Sequence, residues 1–179
     1  MASKTCRRHS RSTAVQRCPR HSRRCAASPG RPRLAAEARR AVYLDASSAV
    51  KLALAEPESK ALRIYLAASG EQTSSEIVLA ESVRAVSRNA EARGLDLLGP
   101  LSLLEGVVKG LDLRALDRQL LAAAGELRPL ALGTLDAIHL ATALAFPQPR
   151  LSFVSYDQRQ LVAARQAGLA TASPGWDAA

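Results

Sequence analysis

From residue 42 onward, short apolar runs alternate with apolar stripes of helical period. Val42-Tyr43-Leu44 ends abruptly in Asp45, and Ala49, Val50, Leu52, Ala53 and Leu54 follow at helical spacing. This predicts a buried strand over 42–45 and a helix over 47–56, with Ser47 or Ser48 as its N-cap. The pair recurs late in the chain: a strand over Leu151–Ser155, then Tyr156-Asp157, then a helix from Gln158 to Ala167 stopped by Gly168. Between them the pattern predicts helices over Glu58–Ala68, Ser75–Arg93, Arg114–Leu127 and Leu132–Phe146. Another stretch, Leu95–Lys109, is interrupted at Gly99-Pro100. Short, weakly marked strands are expected at Gln72–Ser74, Leu111–Leu113 and Leu169–Thr171. Strands alternating with helices imply a parallel sheet covered by helices on both faces.

In such sheets ligands bind beyond the carboxyl ends of the strands. Asp45 and Asp157 each close an apolar strand at that edge. Both also stand where an N-cap is needed, so capping is the competing explanation for each. Asp136 shares a helical stripe with Leu132, Leu140 and Ala143. A carboxylate in an apolar stripe needs a partner, because burying an unpaired charge is costly. Its position in the first helical turn offers the alternative of a helix-dipole complement. His139 lies near the same face and reads as a supporting residue at most. Glu81 lines up with Ile77 and Ala85, with Glu76 as a rival. Taken together, two strand-end acids and two helical acids make a hard, oxygen-rich pocket of the kind Mg²⁺ or Mn²⁺ prefers. Ions held there activate a water against a phosphodiester. There is no P-loop, no Gly-x-Gly-x-x-Gly and no Gly-x-Ser-x-Gly elbow.

Composition adds two constraints. Aromatics are 3% of the 179 residues, which argues against a base-stacking platform of the RRM or OB type. No apolar run approaches about 18 residues, so no membrane span is expected. The net charge of +9 belongs to the start of the chain. Residues 1–40 carry eleven arginines and Lys4 against the single acid Glu37, whereas the remaining 139 residues carry 13 basic and 15 acidic side chains. Residues 1–41 lack apolar periodicity and are expected to be a disordered basic extension, outside a domain spanning 42–175. A basic arm on nucleic acid, a transit peptide without its hydrophobic face, and a misassigned start upstream of Val42 are the readings left open. All three cysteines lie there, and Cys6, His9, Cys18, His21 and Cys25 form Cys-x-x-His twice, a weak zinc pattern. A cysteine-free body is compatible with a reducing cytoplasm.

Four blocks now come together: Val42-Tyr-Leu-Asp45-Ala-Ser-Ser-Ala-Val-Lys51, Ser74-Ser-Glu-Ile-Val-Leu-Ala-Glu81, Leu135-Asp136-Ala-Ile-His-Leu-Ala-Thr-Ala143 and Phe153-Val-Ser-Tyr-Asp157. In order and spacing this resembles the PIN-domain ribonucleases, most nearly the VapC toxins of bacterial type II toxin–antitoxin pairs. The match spans residues 42–172. The resemblance implies a three-layer α/β/α sandwich around a parallel five-stranded sheet, and Mg²⁺- or Mn²⁺-dependent endonucleolytic cleavage of RNA. It places Asp45, Glu81, Asp136 and Asp157 in the family's acidic quartet as catalytic metal ligands, with Ser155 beside the metal. It further implies a homodimer silenced by an antitoxin protein, in the cytoplasm. Gly133 departs from the pattern, standing where a larger or basic residue is common.

Two other functions compete. A phosphatase of the haloacid dehalogenase type also begins from a strand-end aspartate, but needs a second aspartate where this chain has Ser47. A catalytically silent PIN-fold module acting through a protein partner would need no metal affinity.

Overall fold

The strands among the described residues are three or four residues long. The structure, a computed structural model, describes residues 39–147 and 150–176. These lie within one compact unit, Ala35–Ala179. The basic extension and its Cys and His residues fall almost wholly outside the described residues. In chain order the elements are β1 (Val42–Leu44), α1 (Ala46–Ala53), α2 (Ser59–Ala68), β2 (Gln72–Ser75), α3 (Ile77–Ala92) and α4 (Leu98–Lys109). They continue with β3 (Asp112–Arg114), α5 (Arg118–Glu126), α6 (Thr134–Leu144), β4 (Ser152–Val154), α7 (Gln158–Gln166) and β5 (Ala170–Ala172). The expected elements are present, with ends shifted by a few residues.

All pairings are parallel and the strand order is β3-β2-β1-β4-β5. The period-2 alternation of β1 divides its side chains between two cores. Tyr43 and Phe153 point to one face, where they stack at 5.3 Å and pack with Leu140, Ala143, Ala163 and Ala164 of α6 and α7. Val42, Leu44 and Val154 point to the other, against Leu52, Leu62 and Leu66 of α1 and α2. This is the three-layer α/β/α sandwich expected from the sequence. Tyr43, Phe153 and Leu44 are fully buried. Burying each such side chain contributes roughly 1.5–3 kcal/mol, which makes β1 and β4 the centre of the fold. No helix among the described residues is long and apolar enough to cross a membrane.

Two local expectations are corrected. Gly99-Pro100 does not interrupt a helix; both lie in the first turn of α4. The N–H that proline lacks has no intrahelical partner there, so nothing is lost. The N-cap of α1 is Asp45 rather than Ser47 or Ser48. Its carboxylate accepts from the Ser48 N–H at 2.9 Å.

The sheet order creates the site. From β1 the chain moves outward to β2 and β3, then returns to place β4 on β1's other side. Between β1 and β4 the winding reverses, and a crevice opens beyond their carboxyl ends. The register sets Leu44 opposite Val154, so the next residues, Asp45 and Ser155, leave the sheet side by side.

Candidate active site

Asp45 leaves β1 into a dense set of donors. It is 3% exposed. The Ser47 hydroxyl donates to its two oxygens at 2.8 and 2.9 Å, the Ser48 hydroxyl to Oδ1 at 3.0 Å and the Ser155 hydroxyl to Oδ2 at 2.8 Å. These serines also lock β1 to β4. Ser48 shares its hydroxyl with the Val154 carbonyl at 2.8 Å, and Ser47 Oγ accepts from the Tyr156 N–H at 2.8 Å. Ser155 Oγ in turn accepts from the Asp157 N–H at 3.0 Å, tying the two strand-end acids through one hydroxyl.

Asp157 caps α7 and accepts from the Arg159 N–H at 2.8 Å, with the Arg159 guanidinium at 3.2 Å. Burial works against its ionisation. The Arg159 side chain and the backbone N–H groups of Arg159 and Gln160 outweigh that and hold the carboxyl below its ordinary range. Both acids therefore cap a helix, as the competing explanation held, and the same geometry brings them to one crevice.

Asp136 sits in the first turn of α6. It accepts from the Gln160 side-chain N–H at 3.2 Å. Burial raises its pKa first, and the negative charges of Asp157, Glu81 and Asp45 raise it further, against the lowering effect of Arg159. One carboxylate thus feels the other three. Three helix N-termini (α1, α6 and α7) meet at this acidic edge, and their partial positive charge makes the accumulation of carboxylates tolerable.

Glu81 comes from α3, which follows β2, the neighbour of β1. Its Oε2 lies 3.1 Å from His139 Nε2, and His139 Nδ1 lies 2.8 Å from the Tyr43 hydroxyl. The rival Glu76 is exposed and its carboxylate meets the Leu116 N–H at 3.4 Å. Its position gives it no part in the group around Asp136.

Sequence reasoning passed over two side chains in this crevice. Gln160 is 1% exposed, and while its N–H donates to Asp136 its Oε1 is buried without a partner. Tyr43 was read only as core. The signal for Gln160 was its place three residues after Asp157, inside the α7 stripe with Leu161, Ala163 and Ala164; an amide there has to be satisfied from within.

As the side chains stand, each carboxylate is held by an internal donor. Among the described residues no three His, Cys, Asp or Glu side chains are gathered closely enough to hold a metal ion. The donor chemistry nevertheless fits a hard divalent cation: four carboxylates, no thiolate, and at Asp136 a repulsion from its acidic neighbours that a cation or a proton would relieve. Beside Glu81 opens a cavity of about 320 Å³ lined by Ser47, Val50, Lys51, Arg88, Asn89 and Tyr156. A second, of about 260 Å³, lies between α5 and α6 among Leu121, Leu127, Leu130 and Ile138. Its lining holds no titratable group, so it has no chemistry of its own.

The family description "PIN domain" matches residues 42–166. The chain belongs to the PIN-domain family. Within that family it is similar to "Ribonuclease VapC46" of Mycobacterium tuberculosis, at 41% identity over 137 residues, covering 75% of this chain and 98% of that protein. It is also similar to "Ribonuclease VapC47" of the same organism, at 34% identity over 138 residues, covering 75% and 97%. Among solved structures, VapBC2 from Rickettsia felis bound to a fragment of its promoter DNA shares the fold, with a TM-score of 0.54 and 22% identity over 76% of this chain and 99% of that one. Membership sets aside the haloacid dehalogenase alternative. The PIN match begins at Val42, where the apolar pattern begins, and leaves residues 1–41 outside it.

Proposed function

We propose that this PIN domain is a Mg²⁺- or Mn²⁺-dependent endoribonuclease, the toxin of a type II toxin–antitoxin pair. What supports the reading is the linkage at the β1/β4 crevice: Asp45 and Asp157 are joined through the Ser155 hydroxyl, Gln160 of the helix that Asp157 caps donates to Asp136, and His139 of the Asp136 helix meets Glu81. Identity of 41% to a protein named as a VapC ribonuclease supports the same assignment.

Asp45, Asp136 and Asp157 would hold the metal, and Glu81 would hold it or orient the attacking water. Bound there, Mg²⁺ or Mn²⁺ supplies Lewis-acid activation of a water and charge neutralisation at the phosphodiester. The protein supplies the rest. Ser47, Ser48 and Ser155 keep both Asp45 oxygens fixed. Gln160 directs one Asp136 oxygen, and Arg159 offsets charge at Asp157. In the cavity beside Glu81, Lys51 is engaged by Glu56 and Glu58 at 2.7 and 2.8 Å, so Arg88 on the same lining would be the cation to meet a phosphate of the RNA. The partners in this reading are RNA as substrate, an antitoxin protein as inhibitor and a second copy of the chain as a homodimer, all in the cytoplasm.

The test is incubation of total bacterial RNA with the purified full chain, in Mg²⁺ or Mn²⁺ and in EDTA. Discrete fragments that require the metal support the reading, and their mapped ends give the target. A folded protein that leaves RNA intact and binds neither metal ion would instead be the silent PIN-fold module.

A further inference from the structure

Tyr43 and His139 are core residues by burial, at 0% and 1% exposure, yet their polar atoms form a chain that ends on Glu81. We infer that Tyr43 and His139 are positioning residues for the ribonuclease reaction: Tyr43 fixes the tautomer of His139, and His139 fixes the direction of the Glu81 carboxylate. The inference rests on the nuclease reading for its catalytic consequence, and on hydrogen-bond accounting for its structure.

Both ends of the chain fix the protons between them. Glu81 is a carboxylate and only accepts, so the 3.1 Å contact requires a proton on His139 Nε2. At the other end, a tyrosine hydroxyl with its ordinary pKa of about 10 keeps its proton at neutral pH. The hydroxyls of Ser74 and Thr142 that bear on Tyr43 spend their own protons on the carbonyls of Leu44 at 2.6 Å and Ile138 at 2.7 Å. Tyr43 receives none from them and donates its proton to His139 Nδ1 at 2.8 Å. Each atom then has one role: Tyr43 O–H donates, Nδ1 accepts, Nε2–H donates and Glu81 Oε2 accepts. The ring is also held edge-on to Tyr43, with centroids 5.9 Å apart at 78°. Tyr43 is anchored in turn by its stack on Phe153.

The arrangement matters because Glu81 differs from the other acids. Asp45 and Asp157 are pinned by the backbone of the helices they cap. Glu81 stands inside α3, has three side-chain torsions and lies on the rim of the 320 Å³ cavity. Without the histidine it is free to turn into that cavity. The histidine thus does for Glu81 what capping does for the aspartates. Partners of this kind, one step behind a metal ligand, typically alter affinity or activity by about 10–100-fold when removed.

The test has two arms on the full chain. In the first, side-chain ¹⁵N NMR of the metal-free protein reads the tautomer of His139, assigned by its disappearance in His139→Gln. A protonated Nε2 with a bare Nδ1 is expected, with loss of the single tautomer in Tyr43→Phe. A protonated Nδ1 in the wild type overturns the inference. In the second arm, Mn²⁺ affinity and single-turnover RNA cleavage are compared for His139→Gln and His139→Leu. Glutamine places an N–H near the position of Nε2, so it should stay within about threefold of wild type while leucine loses about 10–100-fold. Equal losses in two variants with equal melting temperatures would overturn the positioning role. If the wild type cleaves no RNA, the nuclease reading fails, while the NMR arm still decides the hydrogen-bond chain.

Discussion

Replacing Asp45 with alanine should do more than remove a negative charge. In the folded chain Asp45 caps α1 through the Ser48 N–H and accepts from the buried hydroxyls of Ser48 and Ser155. Loss of a helix cap costs about 1 kcal/mol. Ser48 retains the Val154 carbonyl as a second acceptor, and the half-buried Ser47 can turn to water. Ser155, at 0% exposure, has no such recourse, and a stranded buried donor costs about 1–3 kcal/mol. The sum is about 2–4 kcal/mol, and for a chain of this size that lowers the melting temperature by roughly 5–15 °C. Asp45→Asn should behave differently. Its remaining oxygen keeps the cap and Ser48, and only Ser155 must rearrange, accepting from the new amide as well as from the Asp157 N–H. Thermal unfolding followed by circular dichroism, with RNA cleavage on the same samples, separates the effects. Both variants should lose cleavage, and only alanine should melt well below wild type. If Asp45→Ala melts within about 2 °C of wild type, the hydrogen bonds described here do not carry the weight given to them.

Two further predictions follow from neighbouring residues. Asp136 has a raised folded pKa, from burial and then from Asp157, Glu81 and Asp45, so its ionised form opposes folding at neutral pH. Asp136→Asn should therefore raise the melting temperature of the metal-free protein at pH 7 while abolishing cleavage. The gain should fade as the pH falls toward the unfolded aspartate value of about 3.9, where the wild-type carboxyl is protonated as well; a gain that is absent at pH 7, or undiminished in acid, contradicts this. Gly133 is the N-cap of α6, and a Cβ there would lie 3.0 Å from Asp136 Oδ2. Its φ of −62° suits any residue, so Gly133→Ala should cost only the difference between glycine and alanine as an N-cap, at most about 1 kcal/mol, and lower cleavage severalfold by displacing Asp136; unchanged kcat and KM would show that the carboxylate has room to spare.

How far the sequence carries can be judged from these residues. Asp45 and Asp157 were legible because a charge at the end of an apolar run is conspicuous, and the sheet-edge rule gives it meaning. Asp136 was legible as a charge in an apolar stripe. The parallel sheet and its two helical layers followed from the alternation of strands and helices, but β3 was faint because Asp112–Arg114 is a half-exposed edge strand with little apolar signal. Asp45 and the two adjacent serines are rival caps for α1, equally good by type; only the backbone turn decides among them. The Tyr43–His139–Glu81 chain was out of reach for a different reason. Its partners stand 96 and 58 residues apart, and nothing local distinguishes a tyrosine in the core from a tyrosine with a task. The closeness of Gly133 to Asp136 comes from the backbone turn into α6, which residue type alone does not show.

The proposed site requires the four carboxylates to act together on a divalent cation. Isothermal titration of Mn²⁺ into the full-length wild type and into Asp136→Asn, each then assayed for RNA cleavage, tests it most directly. Saturable binding to the wild type, binding weakened tenfold or more in the variant, and cleavage that tracks occupancy are expected. Equal Mn²⁺ affinity in the two proteins, or cleavage that persists in Asp136→Asn, would contradict it.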